Sequence, residues 1–138
     1  MDRARETAEI LLKIGAVKVN VNPPFTWTSG IKSPVYCDNR KLISFPQERQ
    51  FIVRSFADLM REKGIEPEYI GGTATAAIPW AAFLAYELGL PMIYIRPEKK
   101  VHGAGKQVEG YLPEGKRVLI VEDLISTGGS SIAAADAV

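Results

Sequence analysis

Arg117-Val118-Leu119-Ile120-Val121-Glu122-Asp123-Leu124-Ile125-Ser126-Thr127-Gly128-Gly129-Ser130-Ser131 is the stretch that decides the fold. Val118 to Val121 is a continuous apolar run with β-branched residues and no alternation, the pattern of a strand covered on both faces. It ends on two carboxylates, passes through a Ser/Thr/Gly turn, and enters Ile132-Ala133-Ala134-Ala135-Asp136-Ala137-Val138, which is helix-forming by composition. A strand that runs through such a turn into a helix aims several backbone N–H groups at one point, and that concavity favours an anion, normally a phosphate. The glycines permit the turn and let the anion approach. Glu122 and Asp123 cannot welcome that phosphate. They suit hydroxyl groups or a metal ion, so the implied ligand is a phosphate carried by a polyol.

With 138 residues the chain has interior enough for one core. Apolar residues make up 46% and charged residues 24%, so disorder is not expected. The net charge of +1 gives no basic field of the size a nucleic acid requires. A lone Cys37 excludes an internal disulfide and a cysteine-based zinc site, which fits a reducing, cytoplasmic setting. No run approaches the roughly 18 apolar residues of a membrane span. The start Met1-Asp2-Arg3-Ala4-Arg5-Glu6 has no apolar signal-peptide core. Neither nucleic acid nor membrane is an expected partner.

Upstream, residues 3–14 form an amphipathic helix stopped by Gly15. Val17-Lys18-Val19 alternates, and Asn22-Pro23-Pro24 breaks structure. Phe25 to Arg40 makes two short strands folded back around Ser29-Gly30. Its aromatics, small polar residues and Pro34 suit a recognition flap and a structural hairpin equally. Ser44 is expected to cap the next helix, with Pro46 in its first turn and Gln47 as capping-box partner. That helix presents Ile52, Phe56, Leu59 and Met60 as its core face and ends at Gly64.

Glu68-Tyr69-Ile70-Gly71-Gly72 is a short strand entering the small-residue turn Thr73 to Ala77, before a helix over 79–88. Ala76 and Ala77 suit close helix-to-sheet packing. Gly71, Gly72 and Thr73 lie at the carboxyl end of a strand, where open α/β sheets bind ligands. Pro91 to Ile95 is the next strand, and it delivers Arg96 into a loop that also holds Lys99, Lys100, the sole His102 and Lys106. Basic loops are usually only solvated. This one follows a strand at the same sheet edge as the phosphate turn, which makes it a candidate. Gly110 to Lys116 has P-loop spacing, but Arg117 replaces the Ser/Thr metal ligand and the segment precedes a strand, so its amides cannot converge. The alternation of strand and helix after residue 40 predicts a parallel sheet.

Val121 to Ser130 resembles the phosphoribosyl pyrophosphate (PRPP) signature of type I phosphoribosyltransferases. The flap and the basic loop narrow that resemblance to the orotate phosphoribosyltransferases. The resemblance implies an α/β fold with a parallel sheet flanked by helices, preceded by an N-terminal helix and hood hairpin. It implies a single domain over 1–138, with helix and hood in 1–40 and a PRPP-binding core in 41–138. The family continues further, so the C-terminal part of the fold is expected to be missing. The implied reaction moves ribose 5-phosphate from PRPP to orotate, releasing pyrophosphate, in pyrimidine synthesis.

In that reading Ser126, Thr127, Gly128, Gly129 and Ser130 hold the 5-phosphate, flanked by Leu124 and Ile125, while Glu122 and Asp123 take the ribose hydroxyls. Gly72 and Thr73 belong to the pyrophosphate turn. Arg96, Lys99, Lys100 and His102 neutralise pyrophosphate from the loop. Lys100, His102 and Asp123 are the implied catalytic residues, and Ser126, Tyr36 and Cys37 the implied orotate contacts. Mg2+ is implied as a cofactor held mainly by substrate, and a homodimer as the assembly, with the 97–108 loop shared between sites. Three departures stand out: Thr28 and Pro97 replace basic residues of some relatives, and the turn after Gly72 lacks a lysine. A phosphoribosyltransferase for another base and a non-catalytic PRPP-sensing regulator are the alternatives.

Overall fold

A computed structural model describes residues 2–97 and 106–138, which fall into two compact units, 1–52 and 53–138. The first unit opens with α1 (Arg3–Lys13), capped by Asp2, whose carboxylate accepts from the Ala4 and Arg5 amides. Gly15 then turns the chain at φ +65° into β1 (Val17–Val19). β2 (Phe25–Thr26) and β3 (Lys32–Ser33) make the expected hairpin, with Gly30 at φ +84° in its turn. Pro34 divides the returning strand, because it has no N–H for a ladder. Past it, β4 (Val35–Cys37) pairs antiparallel with β1 instead. The Trp27 indole N–H donates to the Val35 carbonyl and ties the two hairpins together.

A 3-10 helix covers Asn39–Ser44, with Asp38 as its cap. The capping box predicted at Ser44 is therefore absent. Ser44 is the last residue of that turn, and Phe45, extended at φ −114° and ψ 92°, stands before the next helix. α2 (Pro46–Lys63) starts on the expected proline. It belongs to the first unit through Ile52 and to the second from Val53. Its inward face also differs from the prediction. Met60 is buried as expected, but its buried companions are Val53 and Ala57, whereas Phe56 and Leu59 are 38% and 41% exposed.

The second unit holds β5 (Tyr69–Thr73), α3 (Ile78–Leu88), β6 (Met92–Ile95), β7 (Val108–Glu109), β8 (Val118–Val121) and α4 (Gly129–Asp136). The sheet order is β7-β6-β5-β8. β6, β5 and β8 are parallel, as predicted, and β7 adds an antiparallel edge. Two residues of strand are too few to show a period in sequence, so this edge escaped prediction. Helices cover both faces of the sheet. Ala134 of α4 packs with Ile93 and Ile95, against Val118 and Ile120. On the other face α3 lies so close that a Cβ on Gly72 would stand 2.8 Å from the Ala81 Cβ. Ile70, Leu84, Ile93 and Ile95 are almost fully enclosed, and burying each such side chain contributes about 1.5–3 kcal/mol. Gly89, left-handed at φ 64°, ends α3 as expected.

Candidate active site

Parallel pairing sets the site. Gly72 lies opposite Tyr94 on one side and Val121 on the other, so β5, β6 and β8 end at one level. The residues just beyond that level share a rim. A cleft of about 270 Å³ opens there, lined by Thr73 at the end of β5 and Ala74 after it, Arg96 and Pro97 after β6, and Gly129 and Ser130 of α4. Gln107, Ala133 and Ala134 complete the lining with Ile95. A larger hollow of about 460 Å³, lined by Gly64 to Pro67 and Arg117 to Leu119, sits at the amino ends of β5 and β8. It carries none of the strand-end turns and lies at the wrong end of a parallel sheet for ligand chemistry.

The turn after β8 leaves Leu124, Ile125, Ser126 and Thr127 exposed. Gly128, at φ +81°, takes the N-cap position of α4 with no side-chain cap, so no side chain shields the first helical amides. α4 begins three residues earlier than composition alone predicts, and this draws Gly129 and Ser130 into its anion-favouring first turn.

Glu122 is tied across the strands. The buried Thr73 donates its hydroxyl to Glu122 Oε1 at 2.6 Å, and the Asp123 amide donates to the same oxygen at 3.3 Å. Glu122 Oε2 is buried with no hydrogen-bond partner. Burial lifts the Glu122 carboxyl above its ordinary value; the Thr73 hydroxyl and the Asp123 amide oppose that rise, and the Asp123 carboxyl adds to it. Glu122, Asp123, Ser126 and Thr127 are not among the residues that line the cleft.

The remaining residues predicted for the site are distributed as follows. Arg96 reaches the cleft, but its guanidinium also sits 3.4 Å from Glu109, and its backbone and Gln107 exchange hydrogen bonds. Gln107 and Glu109 carried no signal in the sequence; only the antiparallel edge brings them to Arg96. Gly72 does not line the cleft, and its missing Cβ makes room for Ala77 and Ala81 of the α3 segment. Tyr36 and Cys37 belong to the first unit. As adjacent residues of β4 they project to opposite faces, with the Tyr36 ring 5.6 Å from Phe25 and the Cys37 thiol donating to Asn39. One side chain of the pair, at most, can meet a base lying on one face. Lys99, Lys100 and His102 lie outside the described residues.

The phosphoribosyl transferase domain family matches residues 45–138. Over 133 residues the chain is 53% identical to the orotate phosphoribosyltransferase of Oceanobacillus iheyensis, covering 96% of this chain and 66% of that protein. The crystal structure of orotate phosphoribosyltransferase from Aeropyrum pernix superposes with a TM-score of 0.81 at 35% identity, covering 94% of this chain and 71% of that one. The chain belongs to the orotate phosphoribosyltransferase family. A family structure from Mycobacterium tuberculosis, in complex with PRPP, aligns with a TM-score of 0.67 at 28% identity over 99% of this chain and 74% of that one. The chain spans just under two thirds of the Oceanobacillus relative's length. Family membership gives the cleft at the strand ends its context: the turn after β8 is the segment that carried the PRPP resemblance, and it stands on this rim.

Among the described residues no group of three or more His, Cys, Asp or Glu could hold a metal ion, and no helix is long and apolar enough to cross a membrane.

Proposed function

We propose that this chain carries the PRPP-binding machinery of an orotate phosphoribosyltransferase, which transfers ribose 5-phosphate from PRPP to N1 of orotate. The products are orotidine 5′-phosphate and pyrophosphate. The observation that carries this reading is that residues from the ends of β5 and β6 and from the start of α4 line one cleft, among them Thr73, whose hydroxyl donates to Glu122.

The roles follow from charge. As the anomeric C–O bond breaks, its electron pair leaves with pyrophosphate and positive charge develops on the ribose, which the N1 lone pair of orotate then neutralises by forming the new C–N bond. The uncapped amides at the start of α4, with Ser126, Thr127 and Ser130, hold the 5-phosphate. Glu122 and Asp123 accept from the ribose hydroxyls and place negative charge near the developing cation. Arg96 faces pyrophosphate, joined by Lys99, Lys100 and His102 of the loop. Ser126 meets orotate.

The adjacent carboxylates of Glu122 and Asp123 are hard oxygen donors that suit a magnesium ion taking its ligands mainly from PRPP. Such an ion supplies charge neutralisation at the leaving pyrophosphate. A homodimer sharing the 97–108 loop and a cytoplasmic location complete the proposal. The test is pyrophosphate release from PRPP with a panel of bases. Release with orotate alone supports the assignment, release with another base moves it to that base, and PRPP binding without release with any base leaves a sensor.

A further inference from the structure

We infer that Glu109 is a positioning residue: its carboxylate holds the Arg96 guanidinium in one orientation at the rim, where that cation meets the pyrophosphate end of the bound sugar phosphate. The inference rests on the proposed PRPP reading of the cleft and adds a residue that acts through Arg96 without touching the ligand.

Three observations carry it. The first is charge. Of the described residues that line the cleft, Arg96 alone is charged, and its side chain is 40% exposed, so a ligand can reach it. The pull of this cleft on an anion therefore depends on where one long side chain points. Such a side chain loses rotamer freedom whenever a ligand fixes it.

The second observation is the main chain. Arg96 donates its N–H to the Gln107 carbonyl at 2.9 Å, and the Gln107 side-chain amide donates back to the Arg96 carbonyl at 2.8 Å. Both main-chain groups of Arg96 are held, and only its side-chain torsions remain to be set.

The third observation is register. Tyr94 lies opposite Glu109 and Ile95 opposite Val108 on the antiparallel pair β6 and β7. Arg96, two residues beyond Tyr94, is therefore diagonal to Glu109 on the same face. Glu109 Oε1 stands 3.4 Å from Arg96 Nη1, and the Glu109 side chain is only 24% exposed, which makes it the better anchored of the two. A contact at Nη1 leaves the other N–H groups of the guanidinium for a ligand. Glu109 is not among the residues that line the cleft, so its own charge stays back from the anion. Ordering the cation before the ligand arrives lowers the cost of binding. A carboxylate beside the cation also dilutes its pull on an anion, and the two effects predict opposite results.

Calorimetric titration of the 138-residue chain with PRPP and, separately, with ribose 5-phosphate tests this. Glu109→Ala should weaken PRPP binding by roughly three- to fivefold, the scale of a part-exposed ion pair. Ribose 5-phosphate has no pyrophosphate, so its binding should stay within about twofold of wild type. Glu109→Gln keeps an acceptor oxygen and should hold PRPP within about twofold of wild type. In an Arg96→Ala background, titrated with millimolar PRPP, Glu109→Ala should cost nothing further. Without ligand, 15N relaxation at Arg96 Nε should report a more mobile side chain in Glu109→Ala than in wild type. A Glu109→Ala protein that binds PRPP as tightly as wild type, or tighter because charge dilution dominates, overturns the inference while leaving the PRPP reading intact. So does an equal loss for ribose 5-phosphate, a loss that persists without Arg96, a Gln variant as weak as the Ala variant, or unchanged Arg96 relaxation. A wild-type chain that does not bind PRPP overturns that reading first, and this inference with it.

Discussion

Replacing Gly72 with alanine tests whether packing, and not ligand contact, requires glycine at that position. The added Cβ would lie 2.8 Å from the Ala81 Cβ and 2.9 Å from the Ala77 carbonyl oxygen. Neither can swing aside, because one sits on a helix backbone and the other is backbone. Relief requires α3 to move off β5, which loosens contacts around Trp80, Ala81 and Leu84. Overpacking of this kind costs about 1–3 kcal/mol, and the rigid neighbours place Gly72→Ala in the upper half of that range. For a chain of this length that is a fall in melting temperature of roughly 6–15 °C. Gly71→Ala supplies the control: its Cβ would meet Ile95 Cδ1 and Val118 Cγ1 at 3.0 Å, the ends of side chains that can shift. Its cost should be about 1 kcal/mol. Urea denaturation of both variants, followed by circular dichroism, reads the difference. A Gly72→Ala protein within about 0.5 kcal/mol of wild type, or less affected than Gly71→Ala, would refute the close helix-to-sheet contact.

Three further outcomes are expected. Ser44→Ala should leave the stability unchanged within about 0.5 kcal/mol, because Ser44 closes a 3-10 turn, whereas Asp38→Ala should cost about 1 kcal/mol through loss of the cap at the other end, both read by thermal denaturation. Glu122 has a folded-state pKa raised above 4.5, so its relative stabilisation is complete below 4.5 and is lost as pH rises through the folded value. Glu122→Gln should therefore gain stability relative to wild type between pH 4 and pH 7 in denaturation without ligand, and an equal difference at both pH values would contradict the burial argument. Lys100→Ala should lower orotate-dependent pyrophosphate release by roughly a hundredfold with an unchanged melting temperature; steady-state turnover near wild type would remove Lys100 from the chemistry.

How much was legible beforehand depended on the range of the interaction. Each glycine stop was readable because a left-handed residue ends a helix by its own backbone, as at Gly15 and Gly89. The strand over Val118–Val121 and the turn behind it were readable because their pattern is local and their neighbours are contiguous. The face of α2 was not. Ile52, Phe56, Leu59 and Met60 form the expected stripe at helical spacing, and Val53, Ala57 and the shared Met60 form another about 100° around. Side-chain size favours the first stripe, but the structure buries the second.

The letters alone settled that this chain is an α/β protein with a Ser/Thr/Gly turn between an apolar strand and a helix; that β8 ends the described sheet, with only Val121 buried, was not legible. Periodicity, glycine stops and the acidic pair are properties of neighbouring residues and survive without a fold. Tertiary structure decided what depends on distant residues meeting. It brought Thr73 to Glu122 across 49 positions, set Glu109 against Arg96, and pressed α3 onto Gly72. Parallel strands ending at one level did this, because register fixes which side chains share a rim, and no single segment contains its partner's register.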